Sequence, residues 1–306
     1  MCFPFTAVQL NSGELRVWGD AFANGTYATV HEGTLKAWCG SNHPVVVKVQ
    51  RWSHETFDRE INVQRELARM TYNLKDSAHV LPVYAKCVLF GHPAVVMPRA
   101  EGSVYQLLGK TESRIRRGRI VNRMVRQVAR LLKTLQATCG FMHRDLHCSN
   151  VLYAAEGDPL TVPVSRFRFF LSDFGNATRD GDCSDHQPSP VLNGLQRRRY
   201  FTHFNAGLDL NTLLVSTREF LSDNMREVSP RLREAILYFI TTAKHSRAYT
   251  VDGQEMLRSS DNGQDLGSAP CNPLDGSYVP LFWFSYAGAS ALPLPKTVPA
   301  ALRNIV

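Results

Sequence analysis

The sequence predicts an α+β fold whose strands come first and whose helices follow. Three observations predict it. Over residues 1–100, short β-branched runs alternate with turn signals around a single helical stretch. From about Glu101 to 258 the apolar residues recur at helical spacing. From 259 to 306 the composition turns to Gly, Pro, Ser and Asn, and periodicity fades. At 306 residues and 44% apolar content, the chain can bury a sizeable core as one large domain or two tightly coupled lobes.

In the first hundred residues, Leu15 to Trp18, Thr26 to His31 and Val45 to Val49 have strand composition, with Asn24-Gly25 and Gly40-Ser41-Asn42 as turns between them. The run Val45-Val46-Val47 predicts a strand buried on both faces. Glu55 to Met70 predicts a helix, with Phe57, Ile61, Val63, Leu67 and Met70 near helical spacing. Val80 to Val83, Lys86 to Phe90 and Ala94 to Met97 predict further strands. In the second segment, Ile120 to Thr138 is an amphipathic helix that Gly140 can stop in the left-handed conformation. Two more helices are expected at Asp209 to Leu221 and Pro230 to Lys244. The aromatic run Phe282 to Tyr286 predicts that 259–306 packs back on the helical segment.

The net charge of +8 admits nucleic acid, anionic surfaces or phosphate-bearing ligands. Arg114, Arg116, Arg117, Arg119, Arg123, Arg126 and Arg130 concentrate that charge at the long helix. They read first as a solvated face and second as a docking patch for acidic or phosphorylated partners. Nucleic acid comes last, because no aromatics interleave to stack bases. No stretch approaches the roughly 18 apolar residues of a membrane span, and Met1 to Leu10, with no basic region ahead of its apolar residues, is not expected to be a secretory signal. Seven cysteines without regular spacing fit free thiols in a reducing compartment. An intracellular protein is expected.

The densest chemistry lies in Phe141-Met142-His143-Arg144-Asp145-Leu146-His147-Cys148-Ser149-Asn150, followed by Leu171-Ser172-Asp173-Phe174-Gly175. Upstream stand Val46-Val47-Lys48, then Arg59-Glu60-Ile61, then the earlier stretch Ala23-Asn24-Gly25-Thr26-Tyr27-Ala28-Thr29-Val30 out of which Lys48 follows. In this order the segments resemble the catalytic loop His-Arg-Asp-Leu-x-x-x-Asn, the Asp-Phe-Gly segment, the strand lysine, its helix glutamate and the glycine-rich loop of the protein kinase family. The resemblance runs from about Val17 to Leu257.

It implies the two-lobed kinase architecture, a small β-rich lobe over 1–100 and a helical lobe over 101–258, with ATP and magnesium in the cleft and the hinge near Met97 to Glu101. Asp145 would accept the proton of the attacking hydroxyl, and Asn150 and Asp173 would carry Mg2+. Lys48 would hold the α- and β-phosphates and Glu60 would orient it. Ala23, Gly25, Ala28, Val30 and Met97 would line the nucleotide site. Gly207-Leu208-Asp209 resembles the start of the helix whose aspartate anchors the catalytic loop, and Arg247 the late structural arginine.

Several residues depart from the family pattern. Alanines at 23 and 28 replace the outer glycines. Gln64 stands in a normally apolar stack, and no Ala-Pro-Glu follows Asp173. His147 stands where serine/threonine kinases usually carry lysine, and nothing matches the tyrosine-kinase loop. Arg197 to Arg199 could pair with a phosphorylated Ser184 or Ser189. The expected activity is transfer of the ATP γ-phosphoryl group to protein serine or threonine. The alternative is a pseudokinase scaffold, and a small-molecule phosphotransferase ranks third. The missing motif and compact second lobe are similar to kinases of large DNA viruses, herpesviruses among them, which would place the protein in the host cytoplasm or nucleus. Cys139, His143, His147 and Cys148 as metal ligands form the minor reading beside these.

Overall fold

The computed structural model describes residues 5–24, 28–51, 55–179 and 208–236. The chain divides into two compact units. The first comprises Met1–Leu74, His79–Glu101 and Phe170–Gly175, and the second Lys75–Ala78, Gly102–Phe169 and Asn176–Val306.

In the first unit an antiparallel sheet forms from β1 (Phe5–Leu10), β2 (Gly13–Asn24), β3 (Ala28–Ala37) and β4 (Asn42–Gln50). Helix α1 (Glu55–Thr71) follows, then β5 (His79–Val80), β6 (Ala85–Leu89) and β7 (His92–Pro98). The spatial order of the large sheet is β1-β2-β3-β4-β7-β6. Its inner face buries Leu15, Val17, Leu35, Val45, Val47, Val49 and Val96. The expected two-sided burial of Val45-Val46-Val47 is corrected: Val45, Val47 and Val49 point into this core, while Val46 and Lys48 are half-buried on the other face. The antiparallel pleat sends alternate side chains to opposite faces, so the run is half core and half site.

Strand β1 was not anticipated. The strand expected at Val80 to Val83 is cut to His79–Val80. Pro82 has no N–H to give, and the Leu81 N–H and carbonyl are both taken by partners outside an antiparallel ladder. The last two residues of the later strand β10 (Phe167–Leu171) pair in parallel with β5, Phe170 opposite His79 and Leu171 opposite Val80.

The second unit opens with β8 (Gly102–Ser103) and helix α2 (Val104–Lys110), whose Ser103 and Gln106 form a reciprocal capping box. The long helix α3 (Arg114–Cys139) follows. Gly140 closes it at φ +56°, as expected from the sequence, and donates its N–H to the Gln136 carbonyl. Ile120, Val121, Met124, Val128, Leu131, Leu132 and Leu135 are buried along α3. Each contributes about 1.5–3 kcal/mol relative to exposure. Gly118 is required where α3 meets the chain near Glu227, because a Cβ would collide with the Glu227 carbonyl.

After α3, β9 (Val151–Ala155) pairs with β8 and lies next to β10. Helix α4 (Leu208–Thr217) and a 3-10 turn (Arg218–Phe220) occupy the region expected to be one helix to Leu221. A further helix begins at 230 and is described through 236. The expectations for 237–244, Arg247, Ser184, Ser189, Arg197 to Arg199 and 259–306 lie outside the described residues.

The arginine run on α3 is not the solvated face expected for it. Arg116 donates to the Pro159 and Val162 carbonyls at 2.8 and 2.7 Å and stacks on the Phe167 ring. Arg117 donates to the Thr111 and Phe220 carbonyls, Arg123 to Phe167 and Arg130 to Asp76. Four of the seven guanidinium groups thus satisfy backbone carbonyls elsewhere in the chain, and Arg114, Arg119 and Arg126 stay exposed. No helix among the described residues is long and apolar enough to cross a membrane.

Candidate active site

The first unit assembles a three-charge cluster. Lys48 is on β4 and Glu60 on α1, and Lys48 Nζ lies 2.7 Å from Glu60 Oε1. Asp173 Oδ1 lies 3.6 Å from the same ammonium. Lys48 and Glu60 keep only 22% and 12% of their side chains exposed, whereas Asp173 keeps 53%. Burial alone would lower the Lys48 pKa. The Asp173 and Glu60 carboxylates more than offset it, so the ammonium is held well above its ordinary value and stays charged. Burial pushes Glu60 upward, helped by Asp173 and opposed by Lys48 and the Phe174 N–H. Asp173 takes φ +64°, a left-handed conformation that an aspartate holds at a cost of about 1–3 kcal/mol. Gly175 follows it, and a Cβ there would touch Asp173 Oδ1 and Glu60 Oε2 at 3.8 Å.

The residues expected to line the nucleotide site fall around this cluster unevenly. Val30 is opposite Lys48 in the β3–β4 register, and Ala23 is opposite Val30 in the β2–β3 register. Ala28 is buried at the start of β3, and Ala23 is exposed. Met97 lies near the end of β7, opposite Val46 and 8% exposed. Gly25 lies outside the described residues.

The second unit assembles the other cluster. His143 and Arg144 donate their backbone N–H groups to Asp209 Oδ2 and Oδ1, both at 2.8 Å. Asp209 is fully buried at the start of α4. Burial pushes its carboxyl up, while His143 and the two N–H donors pull it down, and the net direction is upward. Arg144 is held at φ +66°, so these two bonds fix a strained backbone just before Asp145. Beyond Asp145, the Cys148 N–H donates to Ser216 Oγ at 3.0 Å, and the Tyr105 N–H to the Cys148 carbonyl at 3.1 Å. The loop is therefore held from both sides.

Ser216 was not anticipated. Its signal was spacing: it lies seven residues after Asp209, two turns along the same helix face. Asn150 Nδ2 donates to the Asp145 backbone carbonyl at 2.8 Å, which ties its amide to the loop. His147 Nδ1 accepts the Ser149 N–H at 3.3 Å, and its Nε2 lies 3.8 Å from Asp145 Oδ1.

The half-exposed Asp173 carboxylate in the first unit and the Asn150 side-chain carbonyl in the second are each oxygen donors of the kind a hard divalent cation takes. Among the described residues no group of three or more His, Cys, Asp or Glu could hold a metal, so the Cys139, His143, His147 and Cys148 set is not brought together as a ligand cage.

Cys148 is a buried thiol pushed up to about 12, chiefly by burial. The exposed Cys39 is lowered by its hydrogen bond with Ser41, and burial raises Cys87. Since the thiolate is the nucleophile, brief alkylation of the native protein near pH 8 should label Cys39 before Cys87 and leave Cys148 unmodified until denaturation. Peptide mass spectrometry reads the order, and early modification of Cys148 would contradict it.

A family model described as protein tyrosine and serine/threonine kinase matches residues 17–186, more than half of the chain. No curated protein matches it. The matched span carries Lys48, Glu60, Asp145, Asn150 and Asp173 in the order the motifs require. With that match and this geometry, the chain belongs to the protein tyrosine and serine/threonine kinase family, with a kinase-like α+β fold.

Proposed function

We propose that this chain is an active protein kinase that transfers the γ-phosphoryl group of ATP to serine or threonine of a protein substrate. The observation that carries the proposal is the Lys48–Glu60 pair at 2.7 Å with Asp173 against the same ammonium. Lys48 presents a fixed positive charge to the α- and β-phosphates, and Glu60 holds its direction. Asp145 orients the acceptor hydroxyl and takes its proton as the new O–P bond forms and the bond to ADP breaks. Bound magnesium, held by Asp173 and Asn150, supplies neutralisation of phosphate charge. The residues do the rest by positioning and electrostatics.

Serine or threonine is favoured over tyrosine because nothing in the sequence matches the tyrosine-kinase loop. Acidic or phosphorylated acceptors suit the net charge of +8. The missing Ala-Pro-Glu supports a place among the divergent kinases of large DNA viruses, acting inside the host cell. The lobes are taken as 1–100 and 101–258, with 259–306 as an extension.

The test is transfer of labelled γ-phosphate from MgATP to basic and acidic protein acceptors, with Lys48→Met alongside. Transfer yielding phosphoserine or phosphothreonine is expected, with a loss of roughly a hundredfold or more in Lys48→Met. A folded, ATP-binding wild type that transfers nothing would be a scaffold instead, a reading that Ala23 and Ala28 in the glycine positions favour.

A further inference from the structure

The outer stripe of α3 is basic along most of its length. Arg119, Arg123, Arg126, Arg130 and Lys133 recur every three or four residues, which at 3.6 residues per turn places them within an arc of about 80°. They run along about 21 Å of helix. Arg119, Arg126 and Lys133 are exposed, and Arg123 and Arg130 are half-buried. The last two donate to the Phe167 and Asp76 carbonyls and keep donors beyond those bonds, since a guanidinium carries five.

Nothing along the helix neutralises this stripe. No Asp or Glu occurs between Arg114 and Cys139, so α3 offers no acidic partner at i,i+4. Among the described residues none of the five forms an ion pair. Asp76 lies beside them and its carboxylate acts on Arg123, but the exposed Lys75 precedes it and offsets its charge. Arg119 with Arg123 and Arg126 with Arg130 are like charges at i,i+4, an arrangement that disfavours the helix when nothing covers it. An anionic partner relieves that repulsion.

The surroundings select among anionic partners. The apolar face of α3 is buried in the core, so this helix cannot lie in a membrane interface. No aromatic residue interleaves the cations to stack on a base. Ile115 stands four residues before Arg119 on the same face and is 64% exposed, an apolar contact that a phosphate backbone cannot use. The alternation of three and four is that of a heptad. A helix with glutamates at the same spacing sets a carboxylate against each cation, as the charged flanking positions of a coiled coil do.

We propose that this stripe is a docking surface for an acidic helical segment of a partner protein, one that carries an apolar residue at the end meeting Ile115. The surface goes beyond the phosphoryl-transfer reading and uses none of the residues assigned to that chemistry.

The experiment is fluorescence anisotropy on the full chain with a labelled helical peptide bearing Glu at i, i+4, i+7, i+11 and i+14 and a leucine at one end. A control peptide has the same composition with its glutamates spread around the helix. The variant is Arg119→Glu/Arg126→Glu/Lys133→Glu, three exposed positions whose new carboxylates can pair with Arg123 and Arg130, which supports the helix. The patterned peptide should bind about tenfold or more tightly than the control and lose about tenfold or more in the variant. Its binding should weaken as salt rises. Phosphoryl transfer to an acceptor without an acidic segment should be unchanged in the variant. If the triple variant does not fold, Arg126→Gln/Lys133→Gln carries the same comparison. Equal binding of the two peptides, or of the patterned peptide to wild type and variant, would overturn the proposal. So would tighter binding of duplex DNA or of phosphatidylserine vesicles than of the patterned peptide at the same salt. A folded wild type that docks the peptide but transfers no phosphate would overturn the kinase reading alone.

Discussion

Replacing Asp145 by asparagine is expected to remove phosphoryl transfer while leaving nucleotide binding and folding intact. Asparagine has the shape of aspartate but cannot take the proton of the attacking hydroxyl. A positioned general base contributes about 10²–10⁴-fold, and a loss in that range is expected in kcat. The structure explains why the change should stay local. The neighbouring loop is held through backbone groups: the His143 and Arg144 N–H on Asp209, and the Asp145 carbonyl under Asn150. None of these contacts uses the Asp145 carboxylate. MgATP affinity should stay within about twofold, since the phosphate-holding role is assigned to Lys48. Steady-state kinetics and a binding isotherm on the same preparation separate the two effects. Asp145→Asn with wild-type kcat would take the base role away from this residue.

The largest effect on stability is expected from Asp209→Ala. The carboxylate has no exposed surface and accepts two backbone N–H groups at 2.8 Å. Alanine leaves both donors buried and unpaired, at about 1–3 kcal/mol each. A loss on the order of 4 kcal/mol is a large fraction of a typical domain's stability. It corresponds to a fall in Tm of roughly 8–16 °C. Arg144, kept at positive φ by one of these bonds, would relax, and transfer should drop even where the protein stays folded. Asp209→Asn keeps one acceptor oxygen and should lose about half as much. Thermal unfolding of the three proteins checks the order wild type, Asn, Ala. Equal melting temperatures for wild type and Asp209→Ala would show that the loop does not depend on this anchor.

The contrast between these two aspartates shows what could be read from the chain alone. Both were picked out by their sequence neighbours, Asp145 inside a dense motif and Asp209 in a short one. The family resemblance already cast Asp209 as the anchor of the loop, and the structure shows how it anchors, by accepting the His143 and Arg144 backbone N–H groups. Gln64 runs the other way. The sequence marked it as a misfit among apolar residues, and the fold supplies the acceptor that makes it fit. The arginines of α3 were legible as a charge cluster, yet four of them serve backbone carbonyls up to 103 residues away in sequence.

The sequence by itself determined the local elements and the order of the chemistry. Helical spacing set α1 and α3, a glycine able to take positive φ set the stop at Gly140, and short-range motifs marked Lys48, Glu60, Asp145, Asn150 and Asp173. Those features depend on the residues within a turn or two, so a reading along the chain can find them. The tertiary structure decided which face of β4 meets the core, where the strand after α1 ends, and which partners Gln64, Ser216 and the arginines take. Each of these depends on a carbonyl or side chain brought near by folding over tens of residues, and no local periodicity carries that information.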